Sequence, residues 1–252
     1  MEINHQAAGF PMRRSTLNFH IARDHGLEFV FSSGPALTYP THTHVSSFTI
    51  TLVRRGAVDV RRPSGLEQYG PGAVYVDAPH EPHRPAYGDN YDIVSVCVDK
   101  RRLAETDRPA LTALFLEYAG VLANQRLLRP EDAAALLAGL GRVFSRPEEL
   151  SKAASDPLAG LIGGPDQWSA PGFYSDDGFR FPRRFKKAAG LTPHQFLIQS
   201  RIRAAKKLLT GELPLAAAAL EAGFYDQSHL NRWFRRSIGL TPREYRNSCH
   251  FF

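Results

Sequence analysis

Cysteine is scarce in this chain. Cys97 and Cys249 are the only two among 252 residues. Two thiols cannot build a disulfide framework, which excludes a small cross-linked scaffold and favours a reducing compartment. Long apolar runs are also missing. No stretch reaches 18 consecutive apolar residues, so no membrane span is expected. The opening segment MEINHQAAGFPMRRS has no apolar core, so no secretory signal is expected and a cytoplasmic protein is. Acidic residues thin out late in the chain. From Arg180 onward there are 14 Lys/Arg and 4 Asp/Glu, a net of +10, while the first 179 residues carry a net of −4. A basic segment behind a mildly acidic one points to a polyanion, above all double-stranded DNA.

What is present divides the chain. The segments SFTITLV (47–53), AVDV (57–60), AVYV (73–76) and DIVSVCV (92–98) are short, rich in β-branched residues and bounded by turn residues such as Gly56, Pro71-Gly72 and Pro79. Such spacing predicts an antiparallel sandwich or barrel. The period then changes. Residues 108–125 place Leu111, Leu114, Phe115, Tyr118 and Leu122 on one helical face, and 130–144 predicts a second helix with Pro130 in its first turn. A Pro- and Gly-rich stretch over 146–167 reads as a linker. The expected domains are therefore 1–145, a linker over 146–167, and 168–252.

The last domain repeats itself. RFKKAAGLTPHQFL (184–197) returns forty-nine residues later as WFRRSIGLTPREYR (233–246). In each copy a basic amphipathic helix ends at a glycine, Gly190 or Gly239, placed as the residue after a helix C-cap. Thr192 or Thr241 then caps a new helix, with Pro193 or Pro242 at its first position. Gln195 or Glu244, three residues after the threonine, completes a capping box.

Ahead of the second copy, Leu215 to Ala222 predicts a short helix. Gly223-Phe224-Tyr225 is a tight turn, and Asp226 caps the next helix, so the unit is a helix-turn-helix. In that second helix Leu230, Trp233, Phe234 and Ile238 form the inward face. Ser228, Asn231, Arg232 and Arg235 lie opposite, and Arg and Asn are the side chains that read guanine and adenine edges. The expected DNA-facing set here is Gln227, Ser228, His229, Asn231, Arg232, Arg235 and Arg236. From the first copy it is Arg180, Arg183, Arg184, Lys186 and Lys187. The helix joining the copies is expected to add Lys206 and Lys207 toward phosphate. At 1.5 Å per residue that helix is about 27 Å long, enough to hold two heads on successive major grooves about 34 Å apart.

The residues RFKKAAGLTPHQFL, RIRAAKKLL and AGFYDQSHLNRWFRRSIGLTPREYR closely resemble the AraC/XylS family of bacterial transcription factors over roughly 168–247. YPTHTH and GPGAVYVDAPHEPH resemble the cupin-like sensor barrel found upstream in that family. The resemblance implies a two-domain α+β protein. Its N-terminal part is a cupin-like antiparallel β-barrel with flanking helices, and its C-terminal part is all-α, with two helix-turn-helix motifs joined by a long helix. It implies a ligand-responsive regulator that is usually an activator and often a dimer, with RNA polymerase and a small-molecule effector as further partners. The dimer helix is expected near 108–125. The first head departs from the pattern. Gly178 and Gly172 precede Phe185 by 7 and 13 residues, where Gly223 precedes Phe234 by 11. The first head is therefore expected to be shortened at the turn, loosely folded, or impaired in DNA binding.

His42 and His44 share one face if the stretch is extended, and His80 and His83 follow a proline-bounded turn. With Tyr75 they are the expected ligand-binding set, and Tyr39, Arg54 and Tyr87 are further contenders. A cupin enzyme would use such histidines to hold Fe, Mn or Zn. That pattern also needs a carboxylate shortly after His44, and Val45-Ser46-Ser47-Phe48-Thr49 supply none. No catalytic residue, cofactor or metal is therefore expected. The competing class is a metal-dependent cupin enzyme with a DNA-binding tail.

Overall fold

The structure is a computed structural model and describes residues 16–22, 27–44, 46–99, 108–117, 138–139 and 180–251. The expected linker over 146–167 and the first head's turn before residue 180 lie outside those residues, as does most of the helix expected over 130–144.

Among the described residues, nine strands precede the helix at Arg108: β1 (Thr16–Ala22), β2 (Leu27–Gly34), β3 (Leu37–Thr38), β4 (Ser47–Arg55), β5 (Val58–Arg62), β6 (Gly65–Tyr69), β7 (Val74–Asp77), β8 (Arg84–Tyr87) and β9 (Tyr91–Asp99). The four strands expected from sequence are β4, β5, β7 and β9. The chain also forms α1 (Arg108–Glu117), α2 (Arg180–Ala189), α3 (Pro193–Leu209), α4 (Leu215–Glu221), α5 (Gln227–Ile238), α6 (Pro242–Ser248) and a last strand, β10 (Cys249–Phe251). This is the expected two-domain α+β architecture, with a correction to the β part. The strands do not close into a barrel. They form a six-stranded sheet in the order β10-β1-β2-β9-β4-β7 and a four-stranded sheet in the order β3-β8-β5-β6.

Side-chain alternation assigns each face of the larger sheet to a different neighbour. One face carries Phe29, Phe31, Ile50, Leu52, Val94 and Val96, all buried in one cluster with Leu114 and Phe115 of α1. Each such side chain contributes about 1.5–3 kcal/mol by leaving water. Leu114 and Phe115 of the expected stripe are thus packed on the chain's own core. Tyr118 and Leu122 of that stripe lie outside the described residues. On the opposite face Val53, Tyr75, Tyr91 and Ile93 meet Val58 and Val60 of the smaller sheet.

At the β1 end that second face meets the helices instead. Leu17 and Phe19 share one buried cluster with Ile198, Ile202, Leu230, Phe234 and Tyr245. The Phe19 and Tyr245 rings meet edge to face at 4.7 Å. The chain end then returns to the sheet. β10 pairs with β1 in parallel, with Phe19 opposite Cys249. The basic helical domain is thus bound to the β domain through a common core and a shared sheet.

Candidate nucleic-acid interface and the seam behind it

Both copies of the repeated segment fold as their chemistry requires. The Thr192 hydroxyl accepts from the Gln195 N–H at 3.3 Å, and the Gln195 side chain accepts from the Thr192 N–H at 2.9 Å. Thr241 and Glu244 repeat the exchange at 3.2 and 2.8 Å. Gly190 and Gly239 end α2 and α5 with φ of +69° and +87°, a region that an L side chain enters only with strain.

The second head is α4, a turn, and α5. Asp226 caps α5, its carboxylate accepting from the His229 N–H at 2.6 Å. Leu230 and Phe234 are buried, which turns the opposite face outward. Gln227, Ser228, Arg232, Arg235 and Arg236 are exposed, and Asn231 is half-buried. Arg236 lies 5.5 Å above the Trp233 ring. His229 has a different employment. The Trp233 Nε1–H donates to His229 Nε2 at 2.9 Å, and the Phe224 ring lies against the imidazole at 5.4 Å. It braces the head from within.

In the first head, Pro182 falls in the first turn of α2, where a missing N–H costs no helical bond. Phe185 is fully buried and meets the Phe196 ring at 5.6 Å. Arg183, Lys186 and Lys187 are exposed. Arg180 and Arg184 are on α2, but their side chains lie outside the described set.

Of the two lysines expected to face phosphate, Lys207 is exposed. Lys206 is a correction. It points into the seam between the domains, pairs with Glu28 at 2.5 Å, and stands 5.6 Å over the rings of Phe19 and Tyr245. Burial disfavours its charge, but the Glu28 carboxylate together with the Cys97 and Cys249 thiols outweighs this and holds the ammonium above its ordinary range. The physical reason is placement. On α3 Lys206 follows Ile202 by one turn, on the side that packs against β1.

That seam has several polar ties. The Thr43 N–H donates to Gln199 Oε1 at 3.3 Å, and Gln199 Nε2 donates to the Thr41 carbonyl at 3.5 Å. The Tyr39 hydroxyl donates to the Ile238 carbonyl at 3.4 Å. Between the ties opens a cavity of about 610 Å³ whose walls include Glu28, His42, His44, Cys97, Asp99, Gln199, Arg203, Lys206 and Tyr245. Of the expected ligand-binding set, His42 and His44 line this cavity. Tyr75 does not: it is buried and stacked on Tyr69 at 4.6 Å. Tyrosines 69, 75, 87 and 91 pack in the space between the sheets.

His83 is buried beside His42. Their backbones exchange two hydrogen bonds of 2.9 Å, and their rings lie 4.4 Å apart. His80 holds the turn before them at φ +62°, with its N–H donating to the His44 carbonyl at 2.7 Å. Burial holds the imidazoles of His42 and His83 down to about 4, and pushes that of His44 well below its ordinary value. All three are neutral at pH 7. Behind His83 sits an ion-pair network centred on the buried Arg62 and Asp77. Asp77 pairs with Arg62 at 2.8 Å, and Arg62 also reaches Glu67 at 2.8 Å.

Comparison with known proteins agrees with this geometry. Residues 178–248 match the family model described as a helix-turn-helix domain. The virulence regulon transcriptional activator VirF of Yersinia enterocolitica is 31% identical over 57% of this chain and 52% of its own length. The probable transcriptional regulator LumQ of Photobacterium leiognathi is 37% identical over 26% of this chain and 27% of its own. The matched stretches thus span from a quarter to about half of these relatives. Among solved structures, an apo form of ToxT from Vibrio cholerae, carrying a single substitution, aligns over 90% of this chain and 99% of its own, with a TM-score of 0.56 at 12% identity. That likeness is one of fold.

Proposed function

We propose that the chain is an AraC-family transcriptional regulator that reads double-stranded DNA with α5 of its helix-turn-helix domain. The observation that carries this is the exposed face of Gln227, Ser228, Arg232 and Arg235 on a helix capped at both ends and anchored by Leu230 and Phe234. Two arginines and an N-terminal amide pair on one outward face suit base edges and phosphate respectively. The exposed Arg183, Lys186 and Lys187 of α2 add sequence-independent attraction.

The finer reading has four parts. The seam cavity takes a small molecule, because it joins apolar walls to a few convergent polar groups and is shared by both domains. The regulation is activation, the sense in which VirF is named, and RNA polymerase is the partner it would act on. The protein works in the cytoplasm, and no helix among the described residues is long and apolar enough to cross a membrane. It performs no chemistry of its own. Self-association through 108–125 has less support, since Leu114 and Phe115 of that segment are internal.

Nuclease footprinting of the full chain across the DNA neighbouring its own gene tests the proposal. One protected, salt-sensitive site that competes against random duplex supports it. Uniform protection, or none, overturns it.

A further inference from the structure

We propose that Tyr225 is a specificity residue of the second head, and that its ring packs on the C5-methyl group of a thymine at the edge of the site read by α5. The contact presupposes the regulator reading above.

The turn that carries Tyr225 is tightly built. Phe224 plugs its inner side and is buried in the core that holds Leu230 and Phe234. The Phe224 ring meets the His229 imidazole at 5.4 Å, and the Trp233 Nε1–H holds that imidazole at 2.9 Å. His229 Nδ1 lies 3.3 Å from the Tyr225 amide nitrogen. Asp226 follows at once as the cap of α5. The backbone of Tyr225 is therefore held from both sides, while its side chain stands in water.

That side chain is 86% exposed, against 47–62% for Leu66, Leu116 and Leu220, the other exposed large apolar side chains among the described residues. A single apolar group at a surface needs no explanation, so the weight falls on where this one stands. Tyr225, Asp226, Gln227 and Ser228 form an unbroken exposed run into the first turn of α5. Arg232 and Arg235 continue that surface along the helix. In a helix-turn-helix the N-terminal end of the second helix is the end that meets base edges. A ring two positions ahead of Gln227 borders that end, and the arginines beside it already suit a polyanion.

Chemistry then selects the contact. The major groove offers one kind of apolar group, the thymine C5-methyl, and apolar side chains recognise it. A tyrosine ring suits it, because it presents a large apolar face and has little side-chain freedom to lose. The DNA backbone is the poorer partner. Asp226, next in the chain, is an exposed carboxylate, and a phosphate against it would set like charges side by side.

The test uses the full chain and its footprinted site. Each thymine of the site is replaced in turn by uracil, which removes the C5-methyl and nothing else. One replacement should weaken the wild type about 4-fold, the value of one methyl group withdrawn from contact. Tyr225→Ala should bind the unmodified site at least that much more weakly, bind random duplex as the wild type does, and lose nothing further at that uracil. Tyr225→Phe should keep the methyl effect, since the ring and not the hydroxyl makes the contact. Circular dichroism should be that of the wild type in both variants. Uracil effects that are equal in the wild type and Tyr225→Ala overturn the contact. So does a Tyr225→Ala variant that weakens operator and random duplex alike, which is how a phosphate contact behaves. A Tyr225→Ala variant with wild-type affinity for both duplexes overturns it too, and gives the ring to a protein partner instead. Absence of any specific site overturns the regulator reading and the contact together, whereas a site indifferent to Tyr225 overturns the contact alone.

Discussion

Gly190 and Pro82 touch across the domain seam so closely that a Cβ on residue 190 would lie 2.0 Å from the proline Cγ. The matching glycine of the second copy, Gly239, also faces the β domain, but its added Cβ would meet Leu17 and Tyr39 at 3.5 and 3.6 Å. Both glycines need a positive φ, which costs an alanine about 1–2 kcal/mol. Only Gly190 adds a steric conflict with the other domain. Gly190→Ala should therefore lower stability more than Gly239→Ala in urea unfolding. Pro82→Ala should recover part of the loss in the double variant. Equal losses from the two glycine variants would show that the close approach is not rigid.

Lys206 and Lys207 are neighbours with opposite duties. Lys206→Ala leaves Glu28 facing the seam without its partner and should cost about 1–3 kcal/mol of stability. Lys207→Ala should leave stability unchanged, weaken all DNA sequences alike, and reduce the salt slope by about 1. The measurements are urea unfolding and DNA affinity across salt. A stability loss confined to Lys207→Ala would reverse the assignment.

The neutral histidines give the protein a pH dependence. His42 and His83 protonate at about 4 when folded, against an ordinary value of 6.5. Between those values the unfolded chain binds more protons, so stability falls as pH falls. Asp77 works the other way. Burial pushes its carboxyl up to about 6 against the pull of Arg62, so the folded state binds its proton first and gains as pH falls. With His44 lowered as well, three imidazoles oppose one carboxyl. The urea midpoint should drop from pH 7 to pH 5. A flat or rising midpoint would mean that these histidines are not buried in the neutral form.

Local chemistry was the most legible part of the sequence. Thr192 with Gln195, Thr241 with Glu244, and the two helix-ending glycines act within a few residues of themselves, so their partners stand beside them in the text. The face of α5 was legible for the same reason. Lys206 was not, because its partner Glu28 is 178 positions away and only the fold brings them together. His229 reads as part of a polar face until Trp233, one turn on, claims its ring. β1 gives a weak signal although Leu17, Phe19 and Ile21 alternate, since its seven residues stand beside the charged run Arg23-Asp24-His25 in the sequence. Without β1 the common core with the helices could not be foreseen.

The first head offers an internal comparison for the second. Its exposed Arg183 stands on a helix whose preceding turn departs from the family spacing. Arg183→Ala should weaken operator and random duplex equally, as a phosphate contact does. A loss confined to the operator would show that this head also reads bases.

The central claim is that α5 reads sequence through the exposed face of Arg232 and Arg235. Affinity of Arg232→Ala for the footprinted site and for random duplex of equal length, at matched salt, tests it most directly. A base-reading arginine contributes about 1–3 kcal/mol of discrimination. The operator should lose roughly 5- to 150-fold in affinity, random duplex should lose far less, and preference should relax at one base pair. Equal losses on both duplexes would make Arg232 a phosphate anchor and contradict the assignment of the reading face.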